Sequence, residues 1–471
     1  MNYLLASFFL LLSISLFFKK FILGFSNFIF LNYSIKKIGI GFILFGILII
    51  YISTDQADWN EVMWRFTTMI LGILLILRGA VMSLLGNKLY KLLEVFEKHY
   101  YKLSVPISIF LFSISALVIS RDYLGEIPNI EECISTGEIE VICGVSNPED
   151  MVYFKKERLI LMSEFGGIKP YSPDNLSGSF KFYNTQTNEF INADIEYGTN
   201  DWGSKNCFRD KNSLFGPHGI DLIKRNDNIY QLGVVNHVPN ESIEFFEVDL
   251  SKLEPKLIWR GCIDAPETAY FNDISFKNQN EFFVTHMYSR SISIPEWMLA
   301  SLLKSNTGYV YYWNSKDFQK VNKSSGGQPN GVLYDKEKDI LYVAYNQSDE
   351  IRRFNLSKGK VDSNFIHSPD NITLKDGQLL LTALDFQPLD GLSCLETNKN
   401  CSLPFSVIKM DADSLEILKK YSYKKTSFGL PTVALLIENK IFVGSFHSDS
   451  CLLYTSPSPR DVEESRMPSS A

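Results

Sequence analysis

The chain has 471 residues, a formal net charge of −7 and seven cysteines. An acidic balance without clustered Lys and Arg gives no electrostatic footprint for nucleic acid, so no nucleic-acid partner is expected. The cysteines form no CxxC pair and no Cys/His cluster at zinc spacing, which argues against a thiolate metal site and leaves disulfides open.

The first 120 residues are dominated by apolar runs. Tyr3 to Phe18, Ile38 to Ser53, Thr67 to Leu85 and Leu103 to Ser120 are apolar enough to be membrane helices, each near the short end of the ~17–25 residues a span needs. Phe21 to Leu31 is shorter and reads as interfacial or re-entrant. The first stretch lacks a basic start and a small-residue cleavage site before Lys19, so it reads as a retained segment rather than a signal peptide. Lys19, Lys20, Lys36 and Lys37 follow the first span, and Lys88, Lys91, Lys98 and Lys102 follow the third. Both loops are expected in the cytoplasm. The loop with Asp55, Asp58 and Glu61, and everything after Ser120, then lies outside. An integral membrane protein in a lipid bilayer, with an extracytoplasmic domain, is the expectation. Arg78 in the third span is given no role.

Beyond Glu126 short β-branched and aromatic strands alternate with Gly, Asn, Asp and Pro turns, an all-β signature. A polar pair followed by alternating apolar residues recurs at Glu149-Asp150, His218-Gly219, Asn272-Asp273, Asn330-Gly331, Asp370-Asn371 and Pro431-Thr432. Counted from the first residue of each pair, the openings are 69, 54, 58, 40 and 61 residues apart. Four-stranded propeller blades repeat every ~40–50 residues, with loops adding the excess. The expected fold is an all-β six-bladed β-propeller over residues 126–450, preceded by an α-helical transmembrane module over 1–125. The first strand of each blade lines the central channel, so the six polar openings converge on one axis.

At that channel mouth stand four carboxylates, Glu149, Asp150, Asp273 and Asp370, and three amides, Asn272, Asn330 and Asn371, with no Lys or Arg. One such pair alone is ordinary turn chemistry. Repeated at several blade openings, the pairs concentrate negative charge that repels itself unless neutralised. Oxygen donors from separate blades, without sulfur or imidazole, suit calcium's six- to eight-fold shell.

Gly216-Pro217-His218-Gly219-Ile220, Val234-Val235-Asn236-His237, Phe271-Asn272-Asp273-Ile274, Pro329-Asn330-Gly331-Val332 and Asp370-Asn371-Ile372 together resemble the paraoxonase/arylesterase family over about 300 residues. The resemblance implies a calcium-dependent hydrolase of lactones or aryl esters with two ions. The catalytic ion is held by Glu149, Asn272, Asn330, Asp370 and Asn371. The structural ion is held by Asp150, Asp273 and the backbone carbonyl of Ile220. His218 and His237 are the implied catalytic pair. Asp370 and Asn371 would face the same ion, which two successive strand residues do not do, so a loop is expected there. The resemblance also implies a disulfide from Cys133 or Cys143 to a cysteine near the chain end. The family has one amino-terminal apolar segment where this chain has four, so it says nothing of residues 1–120.

Two other readings share the architecture: a gluconolactonase-like sugar-acid lactonase, and a non-catalytic calcium-stabilised binding propeller. Cys394 and Cys401, in one polar loop, are close enough in sequence for a local disulfide. Residues 451–471 read as a non-native, adapter-derived tail. Without them the last strand of the sixth blade is expected to be cut off.

Overall fold

The computed structural model describes residues 2–54, 59–60, 62–120, 135, 139–166, 176–252, 254–385, 403–423, 428–448 and 450–455. The chain divides into two compact units, Met1–Ile127 and Pro128–Ala471. Asp55, Asp58, Glu61, Cys133, Cys394, Cys401 and residues 456–471 lie outside the described residues, and with them the expected Cys394–Cys401 pair.

The first unit is helical: α1 Asn2–Ser15, α2 Lys19–Asn32, α3 Ile35–Ser53, α4 Met63–Leu85, α5 Leu89–Lys98 and α6 Tyr100–Ser120. Three of them, α3, α4 and α6, are long and apolar enough to cross a membrane. The first expected span is different. It stops at Ser15 and is bent by 99° against α2, so the pair forms one broken span or a re-entrant loop. At ~1.5 Å per residue a helix as short as α1 reaches only about 21 Å, less than the ~30 Å hydrocarbon core. Glycines let α3 and α4 meet closely. A Cβ at Gly79 would sit 2.4 Å from the Gly39 carbonyl oxygen, and one at Gly46 would sit 2.7 Å from that of Gly72. In a bilayer such small-residue contacts would replace the hydrophobic driving force that lipid removes. Between α1 and α6, Ser115 donates to the Ala6 carbonyl at 2.7 Å and Tyr100 to that of Leu16 at 2.9 Å. Arg78 lies over the Phe42 ring.

The second unit is a β-propeller. Its described strands fall into six sheets, of four strands each except for one of five. The innermost strands are Pro148–Phe154, Pro217–Lys224, Phe271–Asn278, Pro329–Asp335, Pro369–Lys375 and Pro431–Ile437. Five of the six begin with proline, which tolerates a strand's first position because no ladder hydrogen bond is needed there. Apolar layers separate successive sheets, such as Phe182 and Phe246 between the first two and Val235 and Phe282 between the next two. The last sheet meets the first through Val433, Phe442, Met151 and Ile160, so the stack closes into a ring.

Closure differs from expectation. Ser450–Thr455 is a strand, paired on one side with Lys440–Ser445 and on the other with Ile139–Cys143. The last sheet is therefore complete across the boundary placed at residue 450. The physical reason is burial, because Cys451 is fully enclosed in the apolar layer that joins the last sheet to the first. That burial pushes its thiol up to about 12.

One feature shared by all six inner strands positions the site. Each is bulged just after its first residue, with register shifts at Pro148/Asp150, Pro217/Ile220, Phe271/Ile274, Pro329/Val332, Pro369/Ile372 and Pro431/Ala434. A bulge leaves residues unpaired and re-aims their side chains. It frees His218-Gly219, Asn272-Asp273, Asn330-Gly331 and Asp370-Asn371, and in the first inner strand Glu149 alone, since Asp150 stays paired with Ser163. Asp370 and Asn371 thus belong to a strand, not to the expected loop, and the bulge removes the strict alternation that had argued against them. The freed backbone is satisfied by hydroxyls. Ser163 accepts from the Asp150 N–H at 3.1 Å, and Thr285 accepts from that of Asp273 at 3.0 Å. Each hydroxyl also donates to the next inner strand, at the carbonyls of His218 (2.7 Å) and Asn330 (2.6 Å).

Candidate metal centre and histidine pair

Glu149, Asn272, Asn330, Asp370 and Asn371 come from four inner strands and are all buried. Each has a buried side-chain oxygen without a hydrogen-bond partner: Glu149 Oε2, Asn272 Oδ1, Asn330 Oδ1, Asp370 Oδ1 and Asn371 Oδ1. An unpartnered buried oxygen costs about 1–3 kcal/mol, and more when charged, so these five are available to an ion or to ordered water. Their remaining contacts are sparse. Asn330 Nδ2 donates to Asp370 Oδ2 at 3.0 Å, Asn272 Nδ2 reaches the Met287 sulfur at 3.3 Å, and Thr432 holds the Glu149 carbonyl at 2.6 Å. Among the described residues no group of three or more His, Cys, Asp or Glu side chains is arranged for a metal. The five-residue set has only two carboxylates, and its other oxygens are amides.

Asp150 and Asp273 sit differently. Asp150 accepts from the N–H groups of Met151 at 2.8 Å and Ile220 at 2.7 Å. Asp273 accepts from those of Ile274 at 2.8 Å and Val332 at 2.7 Å. Each carboxylate therefore staples its own inner strand to a neighbour, and it is the Ile220 N–H, not its carbonyl, that meets Asp150. Asp221, not anticipated from the sequence, does the same with Leu222 at 2.7 Å and Phe276 at 2.6 Å. Asp150, Asp221, Asp273 and Asn371 line a central cavity of about 690 Å³, with Lys155 and Lys375 also on its wall.

Burial governs the electrostatics. It raises Glu149, Asp273 and Asp370 well above the usual carboxylate range, helped by neighbouring carboxylates, among them Asp370 beside Glu149 and Asp150 beside both others. Asp150 is pushed up to about 7 and Asp221 to about 6, again chiefly by burial. Among the described residues no Lys or Arg pairs with Glu149, Asp150, Asp273 or Asp370; the one partner in ion-pair range is His218, whose Nε2 lies 3.4 Å from Glu149 Oε1.

His218 and His237 come together, with ring centroids 5.0 Å apart. His218 Nδ1 is 2.9 Å from the Asn272 carbonyl, which can only accept, so Nδ1 carries the proton and Nε2 is bare. Burial, then His237, pushes His218 down to about 3. Phe165 meets both imidazoles edge-on, and His237 stacks on Tyr270 at 4.6 Å, which in turn stacks on Tyr288 at 4.9 Å. Val238, Met287 and Trp297 complete this apolar wall.

Sequence reading missed Glu241 and Arg290, which bind His237, and the disulfide between Cys207 and Cys262, 5.6 Å apart at Cα. Glu241 follows His237 by four residues, a spacing without meaning outside a helix, so nothing local marked it. Cys143 is also disulfide-bonded.

The bulges demand close approach at two glycines. A Cβ on Gly331 would stand 2.6 Å from the Asn371 Cα and 2.7 Å from the Asp370 carbonyl oxygen, and one on Gly219 would stand 2.6 Å from the Asp273 Cα. Gly331→Ala is expected to cost about 1–3 kcal/mol and to displace Asp370 and Asn371. A melting curve checks the cost, and unchanged melting would count against the close approach.

Several solved structures are similar to this chain. A luciferin-regenerating enzyme is 9% identical over 68% of this chain and 95% of its own, with a TM-score of 0.42. A putative oxidoreductase (glucose dehydrogenase) from Thermus thermophilus is 11% identical over 67% and 98%, with a TM-score of 0.39. Regucalcin from Agrobacterium tumefaciens, a calcium-binding protein, is 8% identical over 66% and 90%, also at 0.39. No curated protein sequence matches the chain. The family model described as Arylesterase matches residues 157–451, a span that begins after Glu149 and Asp150 and takes in both histidines and the other inner-strand pairs. That match covers more than half of the chain, which therefore belongs to the arylesterase family.

Proposed function

We propose that the protein is a calcium-dependent hydrolase of lactones and aryl esters, a six-bladed propeller held at a lipid bilayer by its apolar helices and exposed on the extracytoplasmic side. The observation that carries the reading is the set of five unpartnered buried oxygens beside two buried imidazoles. Carboxylate and amide oxygens without sulfur fit a hard cation. Glu149, Asn272, Asn330, Asp370 and Asn371 would hold one ion; a second, structural ion at Asp150 and Asp273 is less well supported, because each of their carboxylate oxygens already accepts a backbone N–H. When bound, the first ion supplies Lewis-acid polarisation of the ester carbonyl and neutralises the oxyanion.

The chain's own residues do the rest. His218 Nε2, bare and held neutral by burial, takes a proton from the attacking water and returns it to the departing alkoxide or phenolate. His237 supports it from the adjoining ring. The wall of Phe165, Tyr270 and Tyr288 excludes water and receives an apolar acyl or aryl group. A sugar-acid lactonase is less well supported, because Arg290 is engaged by Glu241 and the His237 carbonyl and so is not free for the carboxylate of the acid product. The extracytoplasmic side is supported by the lysine-rich loops and by the Cys207–Cys262 disulfide.

The test is hydrolysis of a panel of lactones and aryl esters by full-length protein passed over a chelating resin, with and without added calcium. Turnover is expected only with calcium. Turnover that ignores calcium, or none at all in loaded protein, would overturn the proposal.

A further inference from the structure

We propose that Glu241 is a positioning residue for the imidazole pair, fixing His237 in the tautomer with a bare Nε2, and that Arg290 locks it there; this rests on the hydrolase reading above. Glu241 presents its two oxygens to His237 Nδ1 at 3.0 and 3.1 Å. Its other contacts are all donors. The Phe271 N–H reaches Oε1 at 2.7 Å and Arg290 reaches Oε2 at 2.9 Å. A carboxylate surrounded by donors can only accept, so the proton between it and His237 resides on Nδ1. His237 Nε2 is left as a lone pair, fully buried and without a partner.

Arg290 holds the same histidine at its main chain, donating to the His237 carbonyl at 2.8 Å while gripping Glu241. Through Phe271, Glu241 also fixes the start of the inner strand whose next residue, Asn272, holds His218 Nδ1 by its carbonyl. One carboxylate thus sets the tautomer of the first imidazole directly and steadies the anchor of the second. The nearby His286 shows the contrast. Its Nδ1 accepts from the Tyr270 N–H at 3.2 Å, so its lone pair is already used. An orienting acceptor behind a histidine raises its basicity and fixes its ring, and losing such a partner typically costs 10–100-fold.

The experiment uses the full-length protein in detergent micelles with ¹⁵N-labelled histidine, the His237 signals being assigned by their loss in His237→Gln. His237 is expected to carry its proton on Nδ1, and Glu241→Gln is expected to disturb that tautomer. In calcium-loaded protein Glu241→Gln should lower kcat about 10–100-fold with KM changed less than about twofold, and Glu241→Asp should recover part of the loss. A wild-type His237 protonated on Nε2, or Glu241→Gln with the wild-type kcat, would overturn the inference. Should Glu241→Gln fail to fold, the wild-type tautomer and the Glu241→Asp kinetics decide it. If loaded wild-type protein hydrolyses nothing on the panel, the hydrolase reading falls by itself, because the tautomer is read without turnover.

Discussion

Stripped of divalent cations, the protein is expected to lose thermal stability as pH rises from about 5 to about 8, and calcium is expected to restore most at the upper end. Burial raises Glu149, Asp273 and Asp370 well above the ordinary carboxylate range and Asp150 to about 7. Such an acid keeps its proton in the folded state where the unfolded chain has already lost it. Its stabilising contribution is complete below the ordinary value near 4 and is lost as pH climbs through the raised one. His218, pushed down to about 3, acts in the opposite sense. Its effect ends near pH 6.5, so a decline above about 7 belongs to the carboxylates. Calcium would bind the ionised form and is therefore expected to raise the melting midpoint more at about pH 8 than at about pH 5. Asp273→Ala should destabilise more than Asn330→Ala, because it also strips the Val332 and Ile274 N–H groups of their acceptor. Melting of stripped protein that calcium leaves unmoved at both pH values would refute this account.

Replacing Asn272 or Asp370 with Ala is expected to abolish nearly all turnover, whereas His218→Gln should leave a measurable rate. The first two would hold the ion by oxygens that have no other partner. A general base typically contributes ~10²–10⁴-fold, which sets the scale of the His218→Gln loss. His237→Gln should be milder than His218→Gln, since it acts through its neighbour. Steady-state kinetics in saturating calcium separate these outcomes. If His218→Gln retained full activity, His218 would be a structural residue at a strand opening, and Glu149, 3.4 Å away, would be the next group to test as the base.

The parts of the site legible in the sequence are those the repeat carries. Glu149, His218, Asn272, Asn330 and Asp370 each follow the first residue of an inner strand, so one recurring pattern found all five. Bulges were not legible, because they follow from pairing across strands rather than from a residue type. For that reason Asp370 and Asn371 suggested a loop. Glu241, Arg290 and the Cys207–Cys262 bridge depend on where turns bring distant backbone, which leaves no local signature. The break after Ser15 was hidden because apolar composition runs on through Phe17 and Phe18 although the helix does not. The strand Ser450–Thr455 was not legible because its pairing depends on packing, with Cys451 buried between the last sheet and the first.

The pairing of Ile139–Cys143 with Ser450–Thr455 puts the earliest strand of the propeller beside the latest. On the ribosome the early strand emerges first and has no partner until Ser450–Thr455 is made. At ~5–20 residues per second that is a wait of roughly half a minute. Throughout it, the ring is an open arc with an unpaired edge at each end, which is the state most exposed to mispairing with another chain. Synthesis that stops short of Ser450 leaves that arc open, so the pairing of this one strand decides whether the earlier ones close into a propeller.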